Sequence, residues 1–217
     1  MFLGQLTRSG FTPAPQHVLD HARSSFVQSR ALLLNRFVEP SLLADWQRRI
    51  DRAPFVERVA KGDWGGKKPS VDMRVDDRTL WGGAIFALND PTLFGVIEQL
   101  TGCGPVGSFF GSVYKIVHGA GHFHTWHNDL DGNRLVALSI NFSPDGYRGG
   151  VLQLAHRDKR HIIAEVANTG WGDAVIFDIS DALEHRVTDV ERGPDKTAFA
   201  GWFVKSPSRA DWLRRQG

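Results

Sequence analysis

Short segments of strand character, separated by turn residues, fill the second half of this chain of 217 residues. The segments are rich in β-branched and aromatic residues, and the connections between them in Gly, Pro, Asp and Asn. The candidate strands are residues 107–118, 122–127, 135–142, 151–155, 161–167, 174–178, 185–190 and 197–204. About eight short strands at this spacing predict a mainly β fold, in which two sheets pack as a sandwich or jelly roll.

The first hundred residues show helical periodicity instead, which predicts helices that flank the sheets. Residues 40–50 repeat apolar side chains with a helical period. The Asp-Pro pair at residues 90–91 is typical of a helix start, and Gly102 of the corresponding end. Residues 14–30 favour a further helix, and residues 31–37 an early strand.

The length fits one domain, which we expect to span residues 1–217. Within it we predict a helix-rich support and rim over residues 1–105, a jelly-roll core over 106–204 and a tail over 205–217. The loop at residues 60–73 is rich in Gly and Lys, but it lacks the ending and the strand–helix frame of a phosphate-binding loop.

Composition excludes several classes of protein. The net charge of +2, with both signs mixed along the chain, argues against a nucleic-acid partner. One cysteine, Cys103, permits neither an internal disulfide nor a cysteine-rich zinc site. No signal peptide is recognisable, and no stretch approaches the roughly 20 apolar residues of a membrane helix. We therefore expect a cytoplasmic protein with no membrane partner, and its oligomeric state stays open.

Three side chains could form a metal site. His127 and Asp129 are two residues apart, so on a strand they point to the same side, and His185 follows another apolar strand. Two imidazoles and one carboxylate can bind one face of an iron(II) ion and leave the opposite face for dioxygen and a second molecule. A bare His-x-Asp pair is weakly specific, because a surface pair or a buried, hydrogen-bonded histidine has the same sequence.

The order of motifs around these residues resembles the iron(II)- and 2-oxoglutarate-dependent oxygenases, in particular their prolyl 4-hydroxylase-like branch. The matching motifs are Gly121-x-x-His124-x-x-His127-x-Asp129, Tyr147-Arg148-Gly149-Gly150-Val151-Leu152, Gly172-Asp173-Ala174-Val175-Ile176-Phe177, His185-x-Val187, Gly193 and the stretch from Lys196 to Trp202-Phe203. The resemblance covers roughly residues 112–204. It implies a double-stranded β-helix, the jelly-roll form that the strand pattern also predicts.

The resemblance also implies a chemistry. Its members bind Fe(II), 2-oxoglutarate and O2, and ascorbate serves some of them as a reductant. His127, Asp129 and His185 occupy the positions of the family's metal ligands. The expected activity is hydroxylation of a C–H bond with release of succinate and CO2. Asp129 favours hydroxylation over halogenation, because related halogenases lack this carboxylate.

In this family a basic residue usually lies ten residues past the second histidine and binds the distal carboxylate of 2-oxoglutarate. That position here is Asp195, an acid, and Lys196 follows it. Lys196 lies six residues before Trp202, which is the family's second spacing rule. We therefore predict that Lys196 is the cosubstrate-binding cation and that the preceding turn is one residue longer than usual.

Other cosubstrate contacts are predicted on neighbouring strands. His124 stands where relatives often have a tyrosine that contacts 2-oxoglutarate, although a core histidine is an equal alternative. Alternation along residues 135–142 places Ser139 and Asn141 on the inward face, and alternation along the last strand places Trp202 with Lys196.

The substrate is less well defined by the sequence. Arg134, Trp64 and Tyr147 could line the rim of the site and contact a small amino-acid-like metabolite or a peptidyl side chain. Two alternatives remain open. One is a cupin-type metal dioxygenase that uses His122 and His124 with Asp129, and the other is a jelly-roll binding module without catalysis.

Overall fold

The computed structural model describes residues 1–59, 70–75, 78–158 and 161–206, without the side chains of residues 78 and 79. The helices are α1 Gln16–Ser29, α2 Pro40–Ile50, α3 Gly82–Leu88 and α4 Pro91–Thr101, and a 3-10 turn at Arg78–Trp81 precedes α3. The strands are β1 Gly4–Thr7, β2 Gly10–Pro13, β3 Ala31–Leu34, β4 Phe55–Val59, β5 Val71–Val75, β6 Val106–Ile116, β7 His124–His127, β8 Arg134–Asn141, β9 Arg148–Gly149, β10 Leu152–His156, β11 Ile162–Val166, β12 Ala174–Asp178, β13 Leu183–Val187, β14 Val190–Arg192 and β15 Lys196–Lys205.

Two antiparallel sheets form the body of the protein. The large sheet has seven strands in the order β3-β12-β8-β15-β6-β5-β4, and the small sheet has four in the order β11-β10-β13-β7. The hairpin β1-β2 and the pair β9-β14, whose strands are distant in the chain, lie outside them. This arrangement agrees with the mainly β fold and flanking helices that the strand pattern predicts.

Each face of the large sheet has its own apolar partner. Ile176 and Phe199 belong to the main core, which also contains the buried residues of the helices. Val175 and Phe177 point the other way and pack with Leu154 of the small sheet. The alternation of side chains along each strand thus gives a helix-covered outer face and an inner face that meets the second sheet.

Local sequence signals set the helix ends as predicted. The carboxylate of Asp90 accepts hydrogen bonds from the backbone N–H groups of Thr92 and Leu93, at 2.7 and 3.0 Å. Gly102 ends α4 in the left-handed conformation with φ 70°. Among the described residues, no helix has the length and apolar character that crossing a bilayer requires.

The structure corrects several predicted boundaries. The strand predicted at residues 185–190 begins at Leu183 and ends at Val187, so His185 lies mid-strand and a separate short strand, β14, follows. The early strand ends at Leu34, and not at residue 37. The predicted loop at 60–73 and tail at 205–217 lie mostly outside the described residues.

The first hundred residues contribute strands as well as helices. Hairpin β1-β2 was not predicted, because its strands are four residues each and too short for a periodic pattern. Strands β4 and β5 were also missed, and together with β3 they extend the large sheet at its two edges. Strand β4 is largely exposed, so it lacks the apolar alternation by which a strand is recognised.

Gly149 has a conformation that only glycine adopts easily, with φ 85°, in the strand β9 that pairs with β14. A Cβ added there would lie 2.1 Å from the carbonyl oxygen of Asp189. We expect Gly149→Ala to lower the free energy of unfolding by about 3 kcal/mol, measured by urea denaturation. Gly146→Ala is the control, because its Cβ would meet nothing within 4 Å. Equal stability of the two variants would contradict this packing.

Candidate metal centre

Three potential ligands converge between the two sheets. His127 ends β7, Asp129 follows two residues later, and His185 lies in the middle of β13. The antiparallel register makes His185 and His127 direct cross-strand partners. One ligand atom from each of the three side chains lies within 4.8 Å of the other two.

The nitrogen atoms that face the carboxylate are the Nε2 atoms. Nε2 of His127 is 3.5 Å from Oδ1 of Asp129, and Nε2 of His185 is 3.4 Å from Oδ2. Nδ1 of His127 lies 2.6 Å from the carbonyl oxygen of Thr125. A carbonyl can only accept, so Nδ1 carries the proton and the lone pair of the neutral ring is on Nε2, where a metal ligand needs it.

Burial and charge place these groups in the protonation states that bind metals. Burial alone would raise the pKa of Asp129, but the two histidines hold it well below its usual value, so the carboxylate is ionised. Burial, together with His127, lowers the pKa of His185, so its imidazole is neutral near pH 7. An anionic oxygen and neutral nitrogen atoms are the donors that ferrous iron binds.

Two side chains hold Asp129 in place. The indole N–H of Trp202 donates to Oδ2 of Asp129 at 2.9 Å. Nη1 of Arg134 donates to the backbone carbonyl of Asp129 at 3.1 Å. The guanidinium of Arg134 also lies over the Trp202 ring at 3.8 Å, so the two supports brace each other.

The triad opens into a cavity of about 350 Å³ between the sheets, which we call the inner cavity. Ser139 and Trp202 from the large sheet line it, and Leu152 from the small sheet lines it opposite them. A volume of this size is typical of small-ligand sites.

Lys196 reaches the same cavity from the start of β15. It is only 4% exposed, and its Nζ donates to the carbonyl oxygen of Gly150 at 2.7 Å. Burial lowers the pKa of Lys196 to about 8. The ammonium group therefore faces the inner cavity and not bulk water.

Comparison with known proteins agrees with this geometry. Residues 111–204 match the model of the 2OG-Fe(II) oxygenase superfamily. Over this part, the chain is similar to oxygenases whose cofactors are Fe(II), 2-oxoglutarate and O2, as the sequence motifs indicated. No curated protein matches the sequence.

Solved structures with the same fold include enzymes of this class. A 2OG-Fe(II) oxygenase family protein from Burkholderia pseudomallei has 13% identity and a TM-score of 0.64, with 92% of this chain and 95% of that chain covered. A Pseudomonas putida prolyl-4-hydroxylase has 18% identity and a TM-score of 0.58, over 87% and 100%. A Trichoplax adhaerens prolyl hydroxylase, solved with a peptide fragment, has 12% identity and a TM-score of 0.59, with 87% of this chain and 89% of that chain covered. The predicted double-stranded β-helix is confirmed.

His124 belongs to a hydrogen-bond network that the sequence did not reveal. Nε2 of His124 lies 2.8 Å from Oδ2 of Asp72 on β5. Arg74 donates to both oxygens of Asp72, at 2.8 and 2.7 Å, and to Oγ of Ser112 at 3.0 Å. His124 is therefore both a hydrogen-bonded interior histidine and a lining residue of the inner cavity. The only sequence signal was an Asp and an Arg at alternate positions, which is too common to be interpreted.

Two predicted contacts lie elsewhere. Asn141 is fully buried, and its amide donates to the carbonyl groups of Ser143 and Gly170 while its oxygen accepts from the Ser143 N–H. Its hydrogen-bonding capacity is used inside the fold, and Asn141 is not among the residues that line the inner cavity. Tyr147, predicted at the rim, is buried and donates to the carbonyl oxygen of Asn168 at 2.7 Å. Trp64 lies outside the described residues.

The rival cupin set does not assemble among the described residues. Nδ1 of His122 accepts a hydrogen bond from the backbone N–H of Val117 at 3.0 Å, and His124 is bonded to Asp72. The group that meets Asp129 consists of His127 and His185. The geometry therefore favours the oxygenase ligand set over the His122–His124 alternative.

Proposed function

We propose that His127, Asp129 and His185 hold the ferrous ion of a dioxygenase that hydroxylates a C–H bond. The substrate would be a small amino-acid-like metabolite or a peptidyl side chain, with 2-oxoglutarate converted to succinate and CO2. The observation that carries this proposal is the shared cavity: the three ligands and the buried ammonium of Lys196 line one space of about 350 Å³. A metal-binding module without turnover has no need for that cation.

The bound iron would supply the activation of O2 by electrons from 2-oxoglutarate. The chain's own side chains position and enclose the reactants. Lys196 is the cation for the distal carboxylate of 2-oxoglutarate, and the hydroxyl of Ser139 is a further donor on the same wall. Both groups lie between two sheets whose apolar residues exclude water, which strengthens an ion pair there.

His124 and Trp202 have different proposed roles in the inner cavity. Trp202 positions the carboxylate of Asp129 through its indole N–H and contacts the cosubstrate only with its ring. His124 presents its imidazole to the inner cavity while Asp72 fixes its orientation.

We further propose that residues 1–217 act as one domain. In it, residues 106–204 form the core, residues 1–105 the support and rim, and residues 205–217 a tail.

Arg134 is the proposed substrate contact. It lines the inner cavity with its side chain about one-fifth exposed, and one of its nitrogens already pairs with Asp131 at 3.7 Å. A guanidinium in this position suits a substrate carboxylate. The prolyl hydroxylases with the same fold, one solved with a peptide fragment, support a prolyl or peptide substrate here.

The test is succinate release from 2-oxoglutarate with iron(II) and ascorbate, followed by mass spectrometry of amino acids and peptides for gain of one oxygen atom. We expect succinate from the wild type and from His21→Ala, whose exposed imidazole lies on α1, and none from His185→Ala. Equal succinate release by His185→Ala would contradict the ligand assignment. No succinate from a folded, iron-loaded wild type would favour the binding module.

Trp202→Phe tests the support of Asp129. The change removes the N–H that holds Oδ2 at 2.9 Å and keeps an aromatic ring beneath Arg134. We expect iron(II) affinity to fall about 10- to 100-fold, as is typical when a hydrogen bond to a metal ligand is lost. Trp171→Phe is the matched control, because it also removes an indole N–H, but that group donates to Gln47 and not to a metal ligand. Unchanged iron affinity in Trp202→Phe would mean that the hydrogen bond does not position Asp129.

A further inference from the structure

A second, larger cavity lies on the opposite side of the large sheet from the inner cavity. Its volume is about 760 Å³, and its floor includes Val113 and Phe199, which are cross-strand partners on β6 and β15. Their chain neighbours Tyr114 and Ala200 line the inner cavity. Because successive side chains on a strand point to opposite faces, the sheet separates the two spaces. We call this second space the outer cavity.

The interior of the outer cavity is largely apolar. Leu42, Trp46 and Ile50 of α2 form one wall, and Phe142 adds to the floor. Apolar surface of this kind, held open in a concave site, is the usual lining of a small-ligand pocket. The outer cavity therefore suits a ligand with an apolar body.

The mouth of the outer cavity is strongly basic. Among the described residues, four arginines line it, Arg8, Arg48, Arg49 and Arg52, and Asp45 supplies the one carboxylate. Arg8 and Arg48 both pair with that carboxylate. Within the described part of the chain, no ion pair engages Arg49 or Arg52. The arginines thus leave positive charge that one acidic side chain does not balance.

A polar group in the wall also lacks a partner. Trp81, at the end of the 3-10 turn, is 4% exposed and lines the outer cavity. Its indole Nε1–H has no acceptor among the described residues. An unsatisfied buried donor is destabilising, so an acceptor beside this ring would be favoured.

We propose that the outer cavity is a second binding site, which takes a small carboxylate with an apolar body and is separate from the iron site. The carboxylate head pairs with Arg49 and Arg52, whose planar forks match its geometry. The apolar body lies on the floor formed by Val113 and Phe199. The proposal stands on the outer cavity alone and does not depend on the function of the inner one.

Titration calorimetry with octanoate tests the proposal, with octan-1-ol as the ligand of matching body and no charge. The protein is kept with manganese(II) and saturating 2-oxoglutarate without oxygen, so that a carboxylate does not enter the inner cavity. We expect one octanoate per chain, with octan-1-ol bound about three- to tenfold more weakly, as is typical of two ion pairs with exposed arginines. Absence of octanoate binding, or equal affinity for both ligands, would overturn the proposal.

Two sets of variants locate the binding. Arg49→Gln with Arg52→Gln should weaken octanoate by about the same three- to tenfold and leave octan-1-ol unchanged. Gly83→Phe should abolish binding of both, because Gly83 lines the cavity and a Cβ there lies 4.0 Å from Nε1 of Trp46. Gly82→Phe, the adjacent position on α3 with nothing within 4 Å of its Cβ, should bind as the wild type does. Wild-type octanoate affinity in Gly83→Phe or in the double arginine variant would also overturn the proposal.

Discussion

Replacing Asp129 with alanine is expected to slow succinate formation on the order of a thousandfold, or about 4 kcal/mol in the activation barrier. Asp129 supplies the one anionic donor of the triad, and its two oxygens lie 3.5 and 3.4 Å from the Nε2 atoms of His127 and His185. Without it two neutral imidazoles remain, which hold ferrous iron weakly. The measurement is the initial rate of succinate release at saturating iron(II) and 2-oxoglutarate.

Asp131→Ala is the matched control for that loss. Asp131 lies two residues further on, has a side chain 77% exposed, and pairs only loosely with Arg134 at 3.7 Å. We expect its rate to stay close to that of the wild type. Urea denaturation must accompany the assay, because Asp129→Ala leaves the Trp202 indole N–H without its acceptor, at about 1–3 kcal/mol. A wild-type rate in folded Asp129→Ala would contradict the ligand assignment.

Lys196→Met is expected to weaken 2-oxoglutarate binding on the order of 100-fold and to stabilise the ligand-free protein at the same time. Binding weakens because one partner of a buried charge pair is removed, which typically changes the binding free energy by about 2–5 kcal/mol. The gain in stability arises because burial of the ammonium is unfavourable: it lowers the pKa of Lys196 from 10.5 to about 8, which corresponds to roughly 3 kcal/mol. The loss of the hydrogen bond to Gly150 offsets about 1 kcal/mol of this gain.

The same residue gives the protein a pH signature. Between pH 8 and 10.5 the unfolded chain binds a proton at Lys196 that the folded chain has released, so stability attributable to this group rises with pH across that window. Cosubstrate affinity has the opposite trend, because the ammonium loses its charge as pH rises above about 8. Lys196→Met should lack both trends. Lys205→Met, at the exposed end of the same strand, should keep them.

If Lys196→Met binds 2-oxoglutarate as the wild type does, another cation of the inner cavity must hold the distal carboxylate. Arg58, Arg74 and Arg134 line the same space. Arg74 is already committed to Asp72 by two hydrogen bonds, and Arg134 is the proposed substrate contact. The KM for 2-oxoglutarate, measured separately from kcat, distinguishes these outcomes.

Local patterns were enough to predict the elements that carry the site. Strand alternation predicted that His127 and Asp129 point to the same side, although β7 ends at His127 and Asp129 lies just past it. The buried run 174–178 predicted the strand β12 that precedes His185. The register, which makes His185 the cross-strand partner of His127, is a tertiary property. It was inferred from the order of motifs, because no single segment of the chain encodes it.

Long-range contacts decide the role of other predicted side chains. Asn141 follows the alternation of β8, but the inner cavity reaches only to Ser139, and the last residue of the strand instead holds the loop at Gly170. His124 is oriented by Asp72, which comes from a strand 52 residues earlier in the chain. The sequence likewise does not predict the outer cavity, because its arginines and its floor come from segments that are far apart in the chain.

Anaerobic titration with cobalt(II), a visible surrogate for ferrous iron, measures whether the three side chains form one metal site. We expect one cobalt per chain in the wild type and in His21→Ala, and loss of that site in His127→Ala, Asp129→Ala and His185→Ala. A wild-type protein that binds no cobalt, or a full equivalent retained with unchanged affinity in any of the three triad variants, would contradict this expectation.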